Sequence, residues 1–417
     1  MEEDLVHLAK KYLTMDDFNF EGKTVLLRVD VNSPYDERTT KISDSERIKA
    51  HAETIRELSD KGAKVVVLGH QGRKGDPDFT SLEQHSQLLS KHVRRNVRFV
   101  ADVVGEEAQR TIKAMKDGEI LLLNNVRLLD EETKNVPREE HEKGELVKRL
   151  APLADIFVND AFSVSHRSHA SIVGFTKVLP SAAGRVMERE LTSVDKVWDP
   201  RGGNVFLLGG AKPDDCLSIA QHVLATKPEA VEKVLSCGVL GQIFLVAQGH
   251  ALGKPTEDFM EKKNFLSILE QAKETAKNYA AKISVPVDVA ANVGGQRKEM
   301  PVDNLPVDAM IMDIGTETAT RYGEIARKAN AIILKGPPGV YEDKNFQKGT
   351  KMVFEAVAAS KGFSLVGGGD TLSAIEALGI DSSKFGYVSL AGGALITYLS
   401  GKTLPGVAAL EKAMKKS

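Results

Sequence analysis

Short apolar runs that stop abruptly at glycine or a polar residue, each followed by a longer stretch of helical periodicity, recur along almost the whole chain. This is how parallel βα units read, because strands buried on both faces are continuously apolar rather than alternating. Two series stand out. The first comprises 24–31, 64–68, 97–100, 120–123 and 155–158; the second comprises 205–208, 234–236, 283–285, 309–312, 331–334, 363–366 and 387–390. Between them lies Arg185–Val197, with apolar and charged residues at helical spacing, and then the breaker Asp199-Pro200-Arg201-Gly202-Gly203. The pattern predicts an α/β chain of two doubly wound parallel-sheet, Rossmann-like domains, with the junction at that helix. At 417 residues the chain exceeds what one core usually supports, so two domains are the simplest count.

Composition narrows the function classes. A formal charge of −2, from 56 basic and 58 acidic side chains, argues against a general nucleic-acid binder. The two cysteines, Cys216 and Cys237, have neither metal-ligand spacing nor the density of a disulfide scaffold, which fits a reducing cytoplasm. Residues 1–18 are acidic and amphipathic, unlike a secretory signal, and are predicted to pack as a helix. No run approaches the roughly 18 apolar residues of a membrane span, so a soluble protein is expected.

Ligands of such sheets bind at the carboxyl ends of the strands, and the two halves differ there. In the first half, Arg28, Asp30 and Asn32 alternate with Val29 and Val31. The segments that follow later strands are Gly69-His70-Gln71-Gly72-Arg73, Asn124-Asn125-Val126-Arg127 and Asn159-Asp160-Ala161-Phe162, the last continuing to His166-Arg167-Ser168-His169. Arg47 follows Ser43-Asp44-Ser45-Glu46, which reads as a capping box opening a helix. Arg47, Arg73, Arg127 and Arg167 gathered near element ends would repel unless an anion offset them, and a phosphorylated carboxylic acid suits that demand. Scattered surface charge is the bland alternative, and His70 and His169 read equally as satisfied core histidines.

The second half is rich in glycine at the same places. Gly209-Gly210-Ala211-Lys212 precedes a helix beginning near Asp214, so backbone amides can approach phosphates while a lysine adds charge. It lacks the spacing of a P-loop. Gly367-Gly368-Gly369-Asp370-Thr371 also joins strand to helix, and Asp370 reads either as a magnesium ligand or as a helix cap. Lys335-Gly336-Pro337-Pro338-Gly339-Val340-Tyr341-Glu342 is a rigid loop ending in a carboxylate, suited to ribose hydroxyls or simply to a turn. Ser389-Leu390-Ala391-Gly392-Gly393-Ala394 opens another helix with small residues.

In this order, the motifs RVDVNSP (28–34), SDSERI (43–48), GHQGR (69–73), NNVRL (124–128), VNDAFSVSHRSHAS (158–171), GGAK (209–212), GPPGVYE (336–342), GGGDT (367–371) and SGKTLPGVAAL (400–410) resemble the phosphoglycerate kinase family across nearly the whole chain. The resemblance implies two domains facing a cleft and joined by a hinge helix. One domain spans 1–184 plus 401–417, the helix 185–199, and the other domain 200–400. It implies reversible transfer of the acyl phosphate of 1,3-bisphosphoglycerate to MgADP, giving 3-phosphoglycerate and MgATP. By motif position Asp30, Val31, Asn32, Arg47, His70, Gln71, Gly72, Arg73, Arg127, His166 and Arg167 would line the phosphoglycerate side. Gly210, Ala211, Lys212, Gly238, Lys335, Pro337, Glu342, Gly368, Gly369, Asp370 and Thr371 would line the nucleotide side. Arg47 and Lys212 are the expected catalytic pair, Asp370 the magnesium ligand, and a monomer is expected with a dimer left open.

The chain departs from the common family pattern at four places. Cys216 stands where a second lysine is usual, four residues after Lys212, and Lys335 stands where asparagine is usual, so the two positions are expected to compensate. Leu390-Ala391 replaces a threonine-glycine, and Asn125 or its neighbour a glutamate. This drift resembles archaeal members. A dehydrogenase is disfavoured, since no G-x-G-x-x-G with a following acidic residue is evident. A non-catalytic nucleotide- or metabolite-binding homologue is the other alternative, and retention of Arg47 and Lys212 argues against it.

Overall fold

The apolar runs become strands because each is covered on both faces, and the packing shows it residue by residue. In Thr24–Arg28, Val25 and Leu27 enter one buried cluster with Val65 and Val67. Leu26 enters another with Val66, Leu121, Leu123 and Phe157. Alternate side chains of one strand thus feed two cores, as the two-residue repeat of a strand requires. The computed structural model describes residues 11–197 and 202–415. The chain divides into two compact units, one built from the chain up to Leu191 together with Thr403 onward, the other from Thr192–Lys402.

The first unit holds a six-stranded sheet, wholly parallel, in the spatial order Val97–Val100, Ile120–Leu123, Lys64–Leu68, Thr24–Arg28, Ile156–Asn159 and Ser181–Ala183. From Thr24–Arg28 the chain first builds outward to one side and then returns to place Ile156–Asn159 on the other. The crevice between these two strand ends is therefore the switch point, where open α/β sheets bind ligands. The C-terminal helix Pro405–Met414 packs in this unit: the Gly406 amide donates to the Ser165 carbonyl at 2.9 Å, and Ala409 joins Ala161, Val164, Ile172 and Val173.

The second unit repeats the plan with the parallel order Ile283–Ser284, Val231–Ser236, Asn204–Leu208, Ala331–Lys335, Phe363–Gly367 and Tyr387–Val388. Its switch point lies between Asn204–Leu208 and Ala331–Lys335. The helix Arg185–Val197 carries the chain from one unit to the other, its residues dividing between them.

The structure corrects several sequence expectations. The run at 309–312 does not join the parallel series: Met310–Ile314 pairs antiparallel with Asp288–Val293, which pairs with Gln296–Pro301 in a separate three-stranded sheet. A short apolar run carries no information about strand direction, and the local signal here, Gly294-Gly295, marks only the neighbouring hairpin of Asp288–Val293 with Gln296–Pro301. Both residues have positive φ (60° and 84°), the backbone of a two-residue hairpin turn. The strand Ser181–Ala183 was missed because its side chains are too small to read as an apolar run. The hairpin of Tyr35–Asp36 with Lys41–Ile42 was missed because each strand has only two residues.

The capping box before Arg47 is an ordinary serine cap: Ser45, not Ser43, caps the helix Glu46–Asp60, its hydroxyl accepting from the Ile48 amide at 3.4 Å. Such a cap contributes about 1 kcal/mol. The expected helix over 1–18 falls partly outside the described residues. Its described part holds only a 3-10 turn at Met15–Asp17, with Thr14 bridged to Ala183. Asp199, Pro200 and Arg201 of the breaker lie outside the described residues.

Candidate active site

At the first unit's switch point the chain turns sharply after Arg28. The Asp30 carboxylate accepts the Asn32 amide at 3.0 Å, while the Asn32 side-chain oxygen accepts the Gly72 amide at 2.8 Å. Val31 is buried in the core and serves this turn through its backbone. Gly72 has φ +64°, and a Cβ there would stand 2.6 Å from the Asp78 backbone, so only glycine brings this loop in. Gln71 is a buried strut, its amide bonded to both backbone groups of Ser33 at 2.9 and 3.0 Å.

Guanidinium groups converge on this turn. Arg47 lies 3.4 Å from Asp30 and donates to the Asn32 carbonyl at 3.2 Å. Arg127 is 7 % exposed, donates to the Gly72 carbonyl, and has its Nε buried without a hydrogen-bond partner. Arg167 donates to His166 at 3.2 Å and feels the charge of Arg73, which is exposed. Burial, then Arg28 and Arg167, push the Arg127 guanidinium down to about 10. Burial and then Arg73 likewise lower Arg167. Cations that depress one another's ionisation in this way favour a bound anion.

Beneath them lies a buried network that joins Arg28 and His70 to Ser171 and Glu132, to which the sequence assigned no role. Arg28, 1 % exposed, donates to the Ser171 hydroxyl at 2.7 Å and to His70 Nδ1 at 3.1 Å. Ser171 in turn donates to Glu132 at 2.7 Å, and its amide donates to the same carboxylate at 2.8 Å. Burial raises the Glu132 carboxyl, against the pull of Arg28. Nothing local in the sequence around Glu132 marks it, because its partners come from strands and loops far along the chain. Burial alone would raise Asp30, but His70, Arg47, the Ser163 hydroxyl and His51 hold it well below the usual carboxylate range.

The histidines behave differently. Burial, then Arg28, holds His70 well below its ordinary value; burial, then Arg127, Arg167 and Arg28, pushes His169 down to about 3. Burial pushes His85, on the helix Glu83–Val93, down to about 4. In the unfolded chain all three titrate near about 6.5. Between that pH and about 4 the unfolded chain therefore takes up protons that the folded chain refuses, so stability falls as pH falls through this window. His85 and His169 each remove up to about 2 kcal/mol between pH 6.5 and 5, and His70 acts in the same direction, before carboxylates with depressed ionisation contribute. The urea midpoint is expected to drop from pH 7 to pH 5, and less so in His85→Gln. An unchanged midpoint over that range contradicts the assignment.

In the second unit three strand-to-helix turns meet backbone to backbone. A Cβ on Gly336 would lie 2.0 Å from the Gly209 carbonyl, and one on Gly238 2.6 Å from the Gly210 nitrogen. Gly209 donates to the Lys335 carbonyl at 2.7 Å, Gly210 to Pro337 at 2.8 Å and Gly238 to Pro338 at 3.1 Å. The amides of Gly210 and Gly238 are thus engaged internally, and these glycines shape the loop rather than offer donors. Pro337 is buried within this seam. The Thr371 hydroxyl is engaged too, accepting from the Gly336 amide and donating to the Gly367 carbonyl, each at 2.8 Å.

What remains outward is Ala211 and Lys212, exposed at the start of the helix Pro213–Thr226, and Gly369 and Asp370, exposed in the first turn of Gly369–Ala377. The Gly369 and Asp370 amides have no intrahelical acceptor, as at any helix start. Gly368, at φ +99°, turns the chain into that helix. Glu342 is exposed at the end of its loop beside Tyr341, which hydrogen-bonds Ser373 and feels the charge of Asp370. Lys335, 6 % exposed, ends its strand with its ammonium beside the buried Cys216 thiol, whose sulfur donates to the Gly209 carbonyl at 3.2 Å. The expected nucleotide-side residues thus lie at the carboxyl ends of four neighbouring strands, on either side of the switch point.

The family model described as phosphoglycerate kinase matches residues 15–402. The phosphoglycerate kinase of Methanopyrus kandleri is 45 % identical over 398 residues, covering 95 % of this chain and 97 % of the relative. That of Methanococcus maripaludis is 44 % identical over 414 residues, covering 97 % and 99 %. The crystal structure of phosphoglycerate kinase from Pyrococcus horikoshii aligns over 97 % of this chain and 100 % of its own, with a TM-score of 0.86 at 38 % identity.

Proposed function

The chain belongs to the phosphoglycerate kinase family, and from that premise we propose how its residues carry out the reversible transfer of the acyl phosphate of 1,3-bisphosphoglycerate to MgADP. Arg73, Arg127 and Arg167 take the non-transferring phosphate, with Asn32, His70 and His166 shaping the pocket and Asp30 receiving a substrate hydroxyl. Arg47 stands over the carboxyl end, where the transferring phosphoryl is attached. On the other unit Ala211, Lys212 and the amides of Gly369 and Asp370 receive the nucleotide phosphates, and Glu342 the ribose.

Magnesium enters as part of the nucleotide substrate. It takes oxygen ligands, usually one or two carboxylates with phosphate oxygens and water, and there it neutralises phosphate charge. An exposed carboxylate in the first turn of a helix, as Asp370 provides, fits that demand.

No general base is required, because the attacking nucleotide oxygen and the departing carboxylate are both already ionised. The protein's task is positioning and charge neutralisation. As phosphoryl passes between the two oxygens, negative charge spreads over its three equatorial oxygens, and Arg47 and Lys212 offset it. Since the acceptor and donor half-sites are carried by separate units, transfer requires a state that brings them together and excludes water. A cytoplasmic location goes with this reading, on the strength of two buried, unpaired cysteines.

The observation that carries the reading is the convergence of Arg47, Arg127 and Arg167 on one switch point, with the Arg127 Nε buried and unpartnered. Purified protein given MgATP and 3-phosphoglycerate is expected to release ADP at a rate that saturates in both substrates. Absence of turnover in that assay defeats the proposal.

A further inference from the structure

The helix Glu46–Asp60 carries a second functional-looking side chain one turn after Arg47, on the same face: His51, 3 % exposed. Its Nε2 accepts the backbone amide of Asp30 at 3.2 Å, and its Nδ1 bonds the Asp160 carboxylate at 2.7 Å. An amide on Nε2 requires that nitrogen to be unprotonated, so Nδ1 carries the hydrogen and donates it to Asp160. Asp160, fully buried, follows the strand Ile156–Asn159. Its other oxygen accepts the amides of Val186 and Met187 at 2.7 and 3.3 Å, in the first turn of Arg185–Val197. Its own amide donates to the Arg28 carbonyl at 2.8 Å. One imidazole therefore ties together the two strand ends that define the switch point.

We infer that His51 is a positioning residue for phosphoglycerate: it fixes the Asp30–Asn32 turn from behind and so sets Asp30 against Arg47. It touches no substrate. The Asp30 amide is buried, and with His51 absent it loses its acceptor, which penalises the native turn relative to alternatives that reach water. Those alternatives rotate the Asp30 carboxylate away from Ser163 and Arg47, the partners that now hold it. Asp160 keeps two backbone donors on its other oxygen in every variant, and a variant that also keeps a donor for the oxygen now served by His51 isolates the effect on the Asp30 side. The inference rests on the assignment of Asp30 to the phosphoglycerate side.

The test is a steady-state comparison of His51→Ala and His51→Asn, in which asparagine keeps a donor near the Nδ1 position for Asp160 while its carbonyl oxygen is too short to reach the Asp30 amide, with His51→Gln, which restores an acceptor near the Nε2 position. Both of the first two are expected to raise KM for 3-phosphoglycerate about tenfold, with KM for MgATP changed less than about twofold, and His51→Gln to recover most of the loss. A merely structural histidine would lower the urea midpoint and the active fraction while leaving the 3-phosphoglycerate KM of the folded molecules unchanged, and that outcome overturns the inference. Equal shifts in both KM values overturn it as well. If His51→Ala does not fold, the His51→Asn and His51→Gln pair decides. Asp30→Asn serves as the control: if it leaves the 3-phosphoglycerate KM unaltered, the Asp30 assignment fails, whereas a shift in Asp30→Asn without one in the His51 variants defeats the His51 role alone.

Discussion

Replacing Arg47 by alanine is expected to lower kcat about a hundred- to a thousandfold, equivalent to about 2.7–4 kcal/mol of transition-state stabilisation. Arg47 is partly exposed and held at 3.4 Å from Asp30 and 3.2 Å from the Asn32 carbonyl, so its guanidinium is preorganised by the turn that carries the substrate contacts. A preorganised donor aimed at developing charge needs no reorganisation during the reaction, which is why its loss appears in kcat more than in KM. Arg47→Lys should recover only part of the loss, because an ammonium cannot reproduce the planar fork. The measurement is steady-state turnover with both substrates saturating. A kcat within about threefold of the parent in Arg47→Ala would remove Arg47 from the transferring phosphoryl.

The second large effect is expected at Lys335. A lysine 6 % exposed, at the strand end facing the glycine seam, holds a charge that burial makes costly, and its described neighbour there is a thiol rather than a carboxylate. Burial raises the Cys216 thiol in spite of Lys335, so the sulfur stays protonated and does not neutralise the ammonium. Nucleotide phosphate would meet that charge. Lys335→Ala is expected to cost about ten- to a hundredfold in kcat/KM for MgATP, the range of one charge-assisted contact, while the 3-phosphoglycerate KM stays nearly unchanged. If Lys335 compensates for Cys216, the exchange Lys335→Asn with Cys216→Lys should restore more activity than either change alone. Full turnover in Lys335→Ala would eliminate the compensation.

Much of the fold was legible in the chain. The alternation of buried strands with amphipathic helices follows from local apolar pattern, and the residues at strand ends followed with it, because in a parallel sheet every strand delivers its carboxyl end to the same side. What was misread was non-local. The run at 309–312 looked like one more parallel strand, yet its partner Asp288–Val293 had too mixed a sequence to announce itself. The Gly210 amide, expected to approach phosphate, is engaged by Pro337, the Gly238 amide by Pro338, and the Thr371 hydroxyl by Gly336 and Gly367. Close approach of three loops required both the glycines and those bonds, and no window along the chain contains all three loops.

By itself, then, the sequence determined the α/β class, most strands of the two series and the arginine- and glycine-rich strand ends, each of which is written within a few residues. Only the tertiary structure decided which charges are paired. It places Glu132 and Ser171 under Arg28, leaves Arg127 with an unpartnered Nε, sets Lys335 against a thiol, and makes His51 the link between Asp30 and Asp160. The physical reason is range. Strand and helix formation respond to neighbours a few positions away, whereas the energy of a buried charge depends on every group within several ångströms, and at a switch point those groups come from segments more than a hundred residues apart.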